Sequence, residues 1–365
     1  MDIRITNPYC WPQVHRGSEA VMHGLGRWLN ANGHEASVLA SHSRSSTYEI
    51  DGLDYRTVRA PDLRRVYREL GPDLTMIPAM ARQLRSSSPD VVHAFTYLDA
   101  AAARLARRPL VISYAGIILE RSWRGQRINR RIFDRISHGD VVISTPSRAC
   151  GDHFRETYGI ETTVVPYALE TATFRLDDVE RQPGRIFCAA TPDGPRKRAD
   201  FLVAAFEIVA RSRPDATLVF GGRASEETRT RLRAMVDPAV AERITFLGDV
   251  DGDEVKREYA RASVSALTSI EEAFGMVVIE SMAAGTPVVG THSGALPELI
   301  VDGVGGLFDV DDVDECARLL DEQLSGDPRE QAQRCQSHAQ LYDWDSVGPQ
   351  MVALYDRVVS PRSRR

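Results

Sequence analysis

Lysine is nearly absent from this sequence. Only Lys197 and Lys256 occur among the 45 basic residues, so arginine carries almost all of the positive charge. A lysine that is retained in such a chain is therefore a candidate for a specific role. Cysteine is scarce as well: the five cysteines are scattered, without the close spacing of a metal motif. This usage is typical of buried thiols in a reducing compartment and gives no sign of a disulfide framework.

Long apolar runs and common nucleotide motifs are also missing. No stretch approaches the ~20 apolar residues of a membrane span, and the N-terminus lacks the basic and apolar segments of a signal peptide. No G-x-x-x-x-G-K-[ST] run and no strand-linked G-x-G-x-x-G run occurs, which argues against an NTPase or a nicotinamide enzyme. A cytoplasmic protein is expected, with a peripheral position at the inner membrane face as an alternative.

Metal-binding patterns are weak. Asp251 and Asp253 form a D-x-D pattern, but acidic residues before a helix are ordinary caps. No His/Cys cluster suggests zinc. We therefore predict no metal and no resident cofactor.

The length of 365 residues is too great for one hydrophobic core, so two domains are expected. Strand and helix patterns alternate along both halves, which predicts an α/β fold with two Rossmann-like, doubly wound parallel sheets. We place the first domain at residues 1–170 and the second at 180–342. A polar, irregular linker separates them.

The charge is divided unevenly between the halves. Residues 1–165 carry a net charge of +5 and the remainder −11, within a total of −6. A basic first half suits an anionic acceptor or a membrane surface, although attraction between two domains explains it equally. The arginine-rich stretch 121–136 has apolar residues at helical spacing. It is either a basic amphipathic helix for lipid or a surface helix packed by its apolar face, and we prefer the second interpretation.

Two glutamates, Glu272 and Glu280, have seven residues between them. The run 268–289 reads as loop, helix, turn and buried strand. Gly275 lies where the loop enters the helix, and a helix N-terminus exposes N–H groups that suit a diphosphate. Two hydroxyl acceptors and an anion site thus share one loop and helix, as a nucleotide sugar requires. The alternative is an ordinary amphipathic helix with solvated carboxylates.

This run resembles the E-x7-E signature of glycosyltransferase family 4, whose members are retaining enzymes with the GT-B fold. The resemblance implies a first domain that binds the acceptor, a second that binds the nucleotide sugar, and a cleft between them. It also implies that a helix near 345–360 packs back onto the first domain.

The resemblance also assigns roles to residues of the second domain. Glu272, Phe274 and Gly275 would hold sugar and phosphate with Met276 beside them, and Glu280 would hold the ribose. Glu272 would also be catalytic, because it positions the sugar. The resemblance implies donor-site roles for four further residues of that domain, Arg196, Lys197, Phe246 and Gly248. Catalytic roles at the diphosphate are implied for Lys197, which matches a family lysine, and for Arg196, which replaces an arginine usually found earlier. The segment containing Phe246 and Gly248 resembles the one whose backbone reads the nucleobase.

Fewer matches occur in the first domain. Gly17 retains one of the two glycines usual in the family's first strand-to-helix loop, with Arg16 adding charge near the phosphates. The family's usual histidine is absent, and Tyr114 or Ala115 occupies its place. His93 follows a different strand. We predict Tyr114 and His93 as acceptor-side residues, and the alternative for His93 is a local hydrogen-bonding role.

The sequence thus predicts a metal-independent, retaining hexosyltransferase. It would move a sugar from a UDP- or GDP-sugar to a natural product, lipid or glycan, with no nucleic acid partner. Two alternatives stay open. One is a sugar phosphorylase or synthase on the same fold, and the other is a non-catalytic subunit that binds a nucleotide sugar.

Overall fold

The computed structural model describes residues 1–11, 17–63 and 72–359. The chain divides into two compact units. Unit 1 comprises Met1–Ala168 together with Trp344–Arg365, and unit 2 comprises Leu169–Asp343.

Unit 1 alternates strands and helices along most of its length. Its elements before residue 169 are β1 (Asp2–Asn7), α1 (Gly17–Ala31), β2 (Glu35–His42), β3 (Ser46–Ile50), β4 (Leu53–Arg59), α2 (Pro72–Ser87), β5 (Val91–Ala94), α3 (Tyr97–Ala106), β6 (Leu110–Ser113), α4 (Arg127–Ser137), β7 (Val142–Thr145), α5 (Arg148–Tyr158) and β8 (Thr163–Val164).

The unit 1 strands form one sheet in the order β3-β4-β2-β1-β5-β6-β7-β8. Every pair is parallel except β3 with β4. Side-chain caps begin α3 and α5. Thr96 and Asp99 form a reciprocal capping box at the start of α3, and the Ser147 hydroxyl accepts from the Cys150 N–H at the start of α5. The apolar faces of α2 to α5 bury Met80, Leu84, Phe133 and Phe154 completely.

Unit 2 repeats the alternation. Its elements are β9 (Arg185–Cys188), α6 (Ala199–Ser212), β10 (Thr217–Phe220), α7 (Glu226–Arg233), α8 (Pro238–Ala241), β11 (Ile244–Phe246), α9 (Gly252–Arg261), β12 (Val264–Leu267), α10 (Met276–Ala283), β13 (Val288–Thr291), α11 (Leu296–Leu299), β14 (Gly305–Phe308), α12 (Val313–Ser325) and α13 (Pro328–Ala339).

All strand pairs of unit 2 are parallel, in the order β11-β10-β9-β12-β13-β14. Side chains of β9 alternate between two helical layers, as the two-residue period of a strand requires. Ile186 and Cys188 pack in the cluster with α6 and α12, whereas Phe187 packs with Tyr259 of α9. Two doubly wound parallel sheets confirm the predicted fold class.

Unit 1 is completed by a last helix, α14 (Trp344–Val359). The Trp28 indole nitrogen donates a hydrogen bond to Asp345 Oδ1 at 2.9 Å. The Tyr355 hydroxyl lies 2.8 Å from Nδ1 of His93. The sequence predicts a helix near 345–360 that packs onto the first domain, and α14 belongs to unit 1.

Candidate active site

The centre of the unit 2 sheet contains a topological switch point. Strand β9 comes first in the chain, the next strands extend the sheet on one side of it, and β12 begins the other side. Loops that leave the carboxyl ends of β9 and β12 therefore diverge from adjacent strands. In open α/β sheets such a crevice is the usual place for a ligand.

Lys197 and Glu272 meet in these two loops. The Lys197 ammonium nitrogen lies 3.1 Å from Glu272 Oε2, with 27% and 17% of the two side chains exposed. The loop backbones are joined as well, because the Ile270 N–H donates to the Arg196 carbonyl at 3.1 Å and the Thr268 hydroxyl donates to the Lys197 carbonyl at 2.7 Å. The ion pair is therefore held from both sides by backbone contacts.

A third loop fixes the backbone of Glu272. The Ala295 N–H donates to the Glu272 carbonyl at 2.9 Å, and the neighbouring Glu271 N–H donates to Ser293 Oγ at 3.3 Å. Gly294 lies against Glu272 with φ at +58°. A Cβ on it would approach the Glu272 carbonyl oxygen to 2.3 Å. Only glycine permits this approach.

Gly275 begins the next feature, the start of α10. Its φ is +103°, and it directly precedes Met276, the first residue of the helix. The first N–H groups of a helix have no acceptor within it, so this end of α10 can bind an anion beside Glu272. Phe274 is buried, and its ring contacts Tyr342 edge-on with centroids 6.1 Å apart.

Glu280 lies further along α10 and is partly buried. The Tyr259 hydroxyl donates a hydrogen bond to Glu280 Oε2 at 3.1 Å. Burial raises the pKa of Glu280, whereas the Tyr259 hydroxyl and the charge of Lys256 oppose that rise. Each of the two lysines in the chain thus acts on one glutamate of the pair.

Three more predicted residues, Arg196, Phe246 and Gly248, lie at or after the carboxyl ends of β9 and β11. Arg196 is exposed, and no ion-pair partner is found for it within the described ranges. Its neighbour Arg198 is engaged instead with Asp311 and lies 4.6 Å from the Phe201 ring. At the end of β11, Phe246 stacks on Phe220 at 5.3 Å, and Gly248 follows with φ at +78°.

Comparisons with known proteins agree with this architecture. A model described as "Glycosyl transferases group 1" matches residues 183–325, and one described as "Glycosyltransferase Family 4" matches 15–173. The chain belongs to glycosyltransferase family 4.

One curated relative covers nearly the whole chain. A phosphatidyl-myo-inositol mannosyltransferase from Propionibacterium freudenreichii subsp. shermanii is 28% identical over 383 residues, which cover 97% of this chain and 94% of the relative. The chain is thus a glycosyltransferase.

Two solved structures show the GT-B fold of this chain. Sucrose-phosphate synthase from Thermosynechococcus elongatus matches with a TM-score of 0.80 at 19% identity, covering 97% of this chain and 98% of that one. Anabaena HepE, solved with UDP and glucose, matches with a TM-score of 0.74 at 20% identity, again covering 97% and 98%.

The structure corrects the prediction of acceptor-side residues in unit 1 of this family 4 enzyme. His93 is fully buried within β5, with Nδ1 near the Tyr355 hydroxyl and Nε2 2.7 Å from Ser113 Oγ. Tyr114 is also buried, with its hydroxyl 2.6 Å from Ser137 Oγ. Both side chains point into the core, so neither can reach an acceptor.

Of the other two predicted residues in unit 1, Gly17 is exposed and begins α1. Arg16 lies outside the described residues.

The arginine-rich stretch of unit 1 is a surface helix, as the preferred interpretation holds. Phe133 and Ile136 of α4 are buried, so the apolar face of the helix is used by the core. Arg130 lies over the Trp123 and Tyr158 rings. The stretch leaves Ile128 39% exposed together with five arginines, Arg121, Arg124, Arg127, Arg131 and Arg135.

Sequence reasoning missed two contributors to the site. In the sequence, Tyr259 resembles any buried aromatic residue of an amphipathic helix. Only its position on the face of α9 that packs on the sheet could have suggested a role. The Ser293–Ala295 segment has the residue types of an ordinary turn. Its contact with Glu272 gives that turn a place beside the site.

No helix within residues 1–11, 17–63 and 72–359 has the length and apolar character needed to cross a bilayer. The same ranges contain no group of three or more His, Cys, Asp or Glu residues arranged to hold a metal ion.

Proposed function

We propose that this glycosyltransferase moves a hexose from a UDP- or GDP-sugar to an acceptor hydroxyl, with retention of configuration and without a metal. The observation that carries the proposal is the Lys197–Glu272 ion pair at the switch point, beside the start of α10. A cation, an anion-binding helix end and a carboxylate are the groups that a sugar diphosphate needs.

The residues divide the chemistry between the two ends of the bond that breaks. Lys197, Arg196 and the first N–H groups of α10 stabilise the departing diphosphate through charge-assisted hydrogen bonds. Glu272 accepts hydrogen bonds from the sugar and orients it. Phe274, Gly275 and Met276 place the α10 backbone against the phosphates. Glu280 accepts from the ribose, and the loop of Phe246 and Gly248 contacts the base.

Retention requires that the acceptor oxygen arrives on the face from which the diphosphate leaves. An oxygen of the departing phosphate then lies close to the acceptor hydroxyl and takes its proton. The new bond to the anomeric carbon forms as the bond to phosphate breaks. No protein base is needed in this step, and no ion is needed if Lys197 and Arg196 balance the charge.

The acceptor is proposed to be a natural product, lipid or glycan bound by unit 1. Gly17 and Arg16 are proposed to contribute to donor binding. The excess positive charge of residues 1–165 favours an anionic acceptor.

A cytoplasmic location and a peripheral membrane contact stay predictions. Sedimentation with anionic vesicles at low and high salt would measure that contact, which should weaken with salt.

Thermal shift with a panel of nucleoside diphosphates and their sugars tests the nucleotide site. A ligand that binds only the folded state adds about 2.7 kcal/mol at a hundredfold excess over its Kd, which raises Tm. We expect a shift with UDP- or GDP-sugars that Lys197→Ala abolishes. Arg211→Ala, on an exposed part of α6, is the control and should keep the shift.

Product analysis tests the chemistry. The anomeric configuration of the product should match that of the sugar donor, and chelator should leave the rate unchanged. Absence of any shift in the wild-type protein, or an inverted product, would contradict the proposal.

A further inference from the structure

The Tyr259 hydroxyl is held in one place by the core of unit 2. Its ring is 1% exposed and packs edge-on against Phe187 of β9, with centroids 5.1 Å apart at 84°. Phe174 contacts the ring from another side at 6.5 Å. Protein interiors are close-packed, so a ring enclosed in this way has no alternative rotamer to adopt. The hydroxyl therefore has a fixed position relative to the sheet.

This fixed hydroxyl is directed at Glu280. It donates to Oε2 at 3.1 Å, and α9 thereby contacts α10 through a single polar bond. Within the described part of the chain, no cation lies within ion-pair distance of the Glu280 carboxylate. Lys256, one turn before Tyr259 on α9, pairs with Asp253 at 3.3 Å. The Tyr259 hydroxyl is thus the specific contact that orients this carboxylate.

We propose that Tyr259 is a positioning residue that fixes the Glu280 carboxylate for the ribose hydroxyls of the nucleoside diphosphate. The inference rests on the function proposed above. The terminal torsion of a glutamate is broad when nothing restrains it. The bond to Oε2 restrains it and leaves Oε1, with the remaining lone pairs, to accept from two adjacent hydroxyls. Tyr259 itself does not touch the ligand.

A merely structural tyrosine would behave differently. If its hydroxyl only satisfied a partly buried carboxylate, its removal would lower the stability of the protein and would weaken the binding of every nucleotide alike. A positioning residue is needed only by ligands that carry the ribose hydroxyls. The preference for ribose over dideoxyribose therefore separates the two roles.

The test is calorimetric titration of wild-type protein, Tyr259→Phe and Glu280→Gln. The ligands are UDP, GDP and their 2′,3′-dideoxy counterparts. The phenylalanine ring keeps the packing against Phe187, and Tm checks that the fold is retained. Tyr55→Phe is the control, because it also removes a buried hydroxyl with one partner, Nδ1 of His23 at 2.8 Å.

We expect the wild type to prefer ribose by tenfold or more. Glu280→Gln should lose most of that preference. Tyr259→Phe should reduce it about fivefold while dideoxy nucleotides bind as tightly as before, since one hydrogen bond to a charged group is removed from the network. Tyr55→Phe should keep the wild-type preference.

Three outcomes would overturn the inference, and each leads to a different conclusion. If Tyr259→Phe keeps the full preference for ribose while Glu280→Gln loses it, Glu280 binds the ribose without help from Tyr259. If Tyr259→Phe weakens both nucleotides equally, the role is structural. If the wild type binds neither UDP nor GDP, the proposed function fails and the inference with it.

Discussion

The ammonium nitrogen of Lys197 lies 3.1 Å from Oε2 of Glu272, although the two residues are 75 positions apart in the chain. Lysine suits a diphosphate and glutamate suits a sugar hydroxyl, so in the proposed function each partner of this pair has a second role. In that function a bound diphosphate competes with Glu272 for Lys197 and so frees the carboxylate for the sugar.

Replacing Glu272 by Gln should separate turnover from nucleotide binding. The amide keeps the shape of the side chain but removes its charge, and kcat should fall about a hundredfold, as for the loss of one group that stabilises a transition state. Stability should change by less than about 1 kcal/mol, because the ion pair is partly exposed.

Binding of UDP or GDP to Glu272→Gln should be unchanged or tighter, since Lys197 no longer has a competing partner. Steady-state kinetics and calorimetry measure both quantities. Glu322→Gln, on the exposed face of α12, is the control. A wild-type rate in Glu272→Gln would remove this glutamate from the site.

Replacing Gly294 by Ala should lower activity by displacing the Glu272 backbone. The added Cβ would lie 2.3 Å from the Glu272 carbonyl oxygen and 2.8 Å from its nitrogen, so the loop must move. We expect kcat/KM to fall at least tenfold, because small errors in the position of a catalytic group are costly.

Gly303→Ala is the matched control for this variant. Its φ of +89° is also in the left-handed region, but a Cβ there meets nothing closer than an Arg334 side-chain carbon at 3.5 Å. Both variants pay about 1 kcal/mol for the backbone conformation. Equal activities in the two variants would show that contact with Glu272 is irrelevant to the rate.

Replacing His93 by Gln should change how stability depends on pH. Burial lowers the pKa of His93 to about 3, against 6.5 when it is exposed. Its folded state therefore favours the neutral ring. The contribution of neutral His93 to the free energy of unfolding is fully present above pH 6.5 and is lost as pH falls toward 3. Its upper bound is roughly 4–5 kcal/mol.

A second buried group acts in the opposite direction. Burial raises the pKa of Asp99 to about 6, so its contribution to the free energy of unfolding increases as pH falls below 6. Asp99 is present in both the wild type and His93→Gln, so its contribution drops out when the Tm values of the two proteins are subtracted. That difference should shrink as pH falls from 6.5 toward 3.5, and a difference independent of pH would contradict the lowered pKa.

The sequence predicts most of the fold because strand and helix periods alternate regularly in both units. The meeting of Lys197 with Glu272 is also consistent with sequence reasoning, since both follow the carboxyl ends of strands. His93 and Tyr114 were misplaced for a physical reason. His93 lies inside β5 and Tyr114 directly follows β6, and the sequence near the end of a strand does not tell which side chains turn into the core.

The contacts that hold Glu272 and Glu280 in place were harder to predict. Ala295 and Glu272 contact each other through backbone atoms, and no residue type signals such a bond. Likewise, the Tyr259–Glu280 bond joins two helices whose packing depends on the whole of unit 2.

The return of α14 to unit 1 has a consequence for synthesis of the protein. Bonds such as Trp28–Asp345 and His93–Tyr355 join the first segment of unit 1, Met1–Ala168, to residues that leave the ribosome after all of unit 2. Unit 2 is continuous in the chain and can fold while translation proceeds. Unit 1 must wait with part of its core uncovered, and its last helix arrives only when the neighbouring unit is already complete.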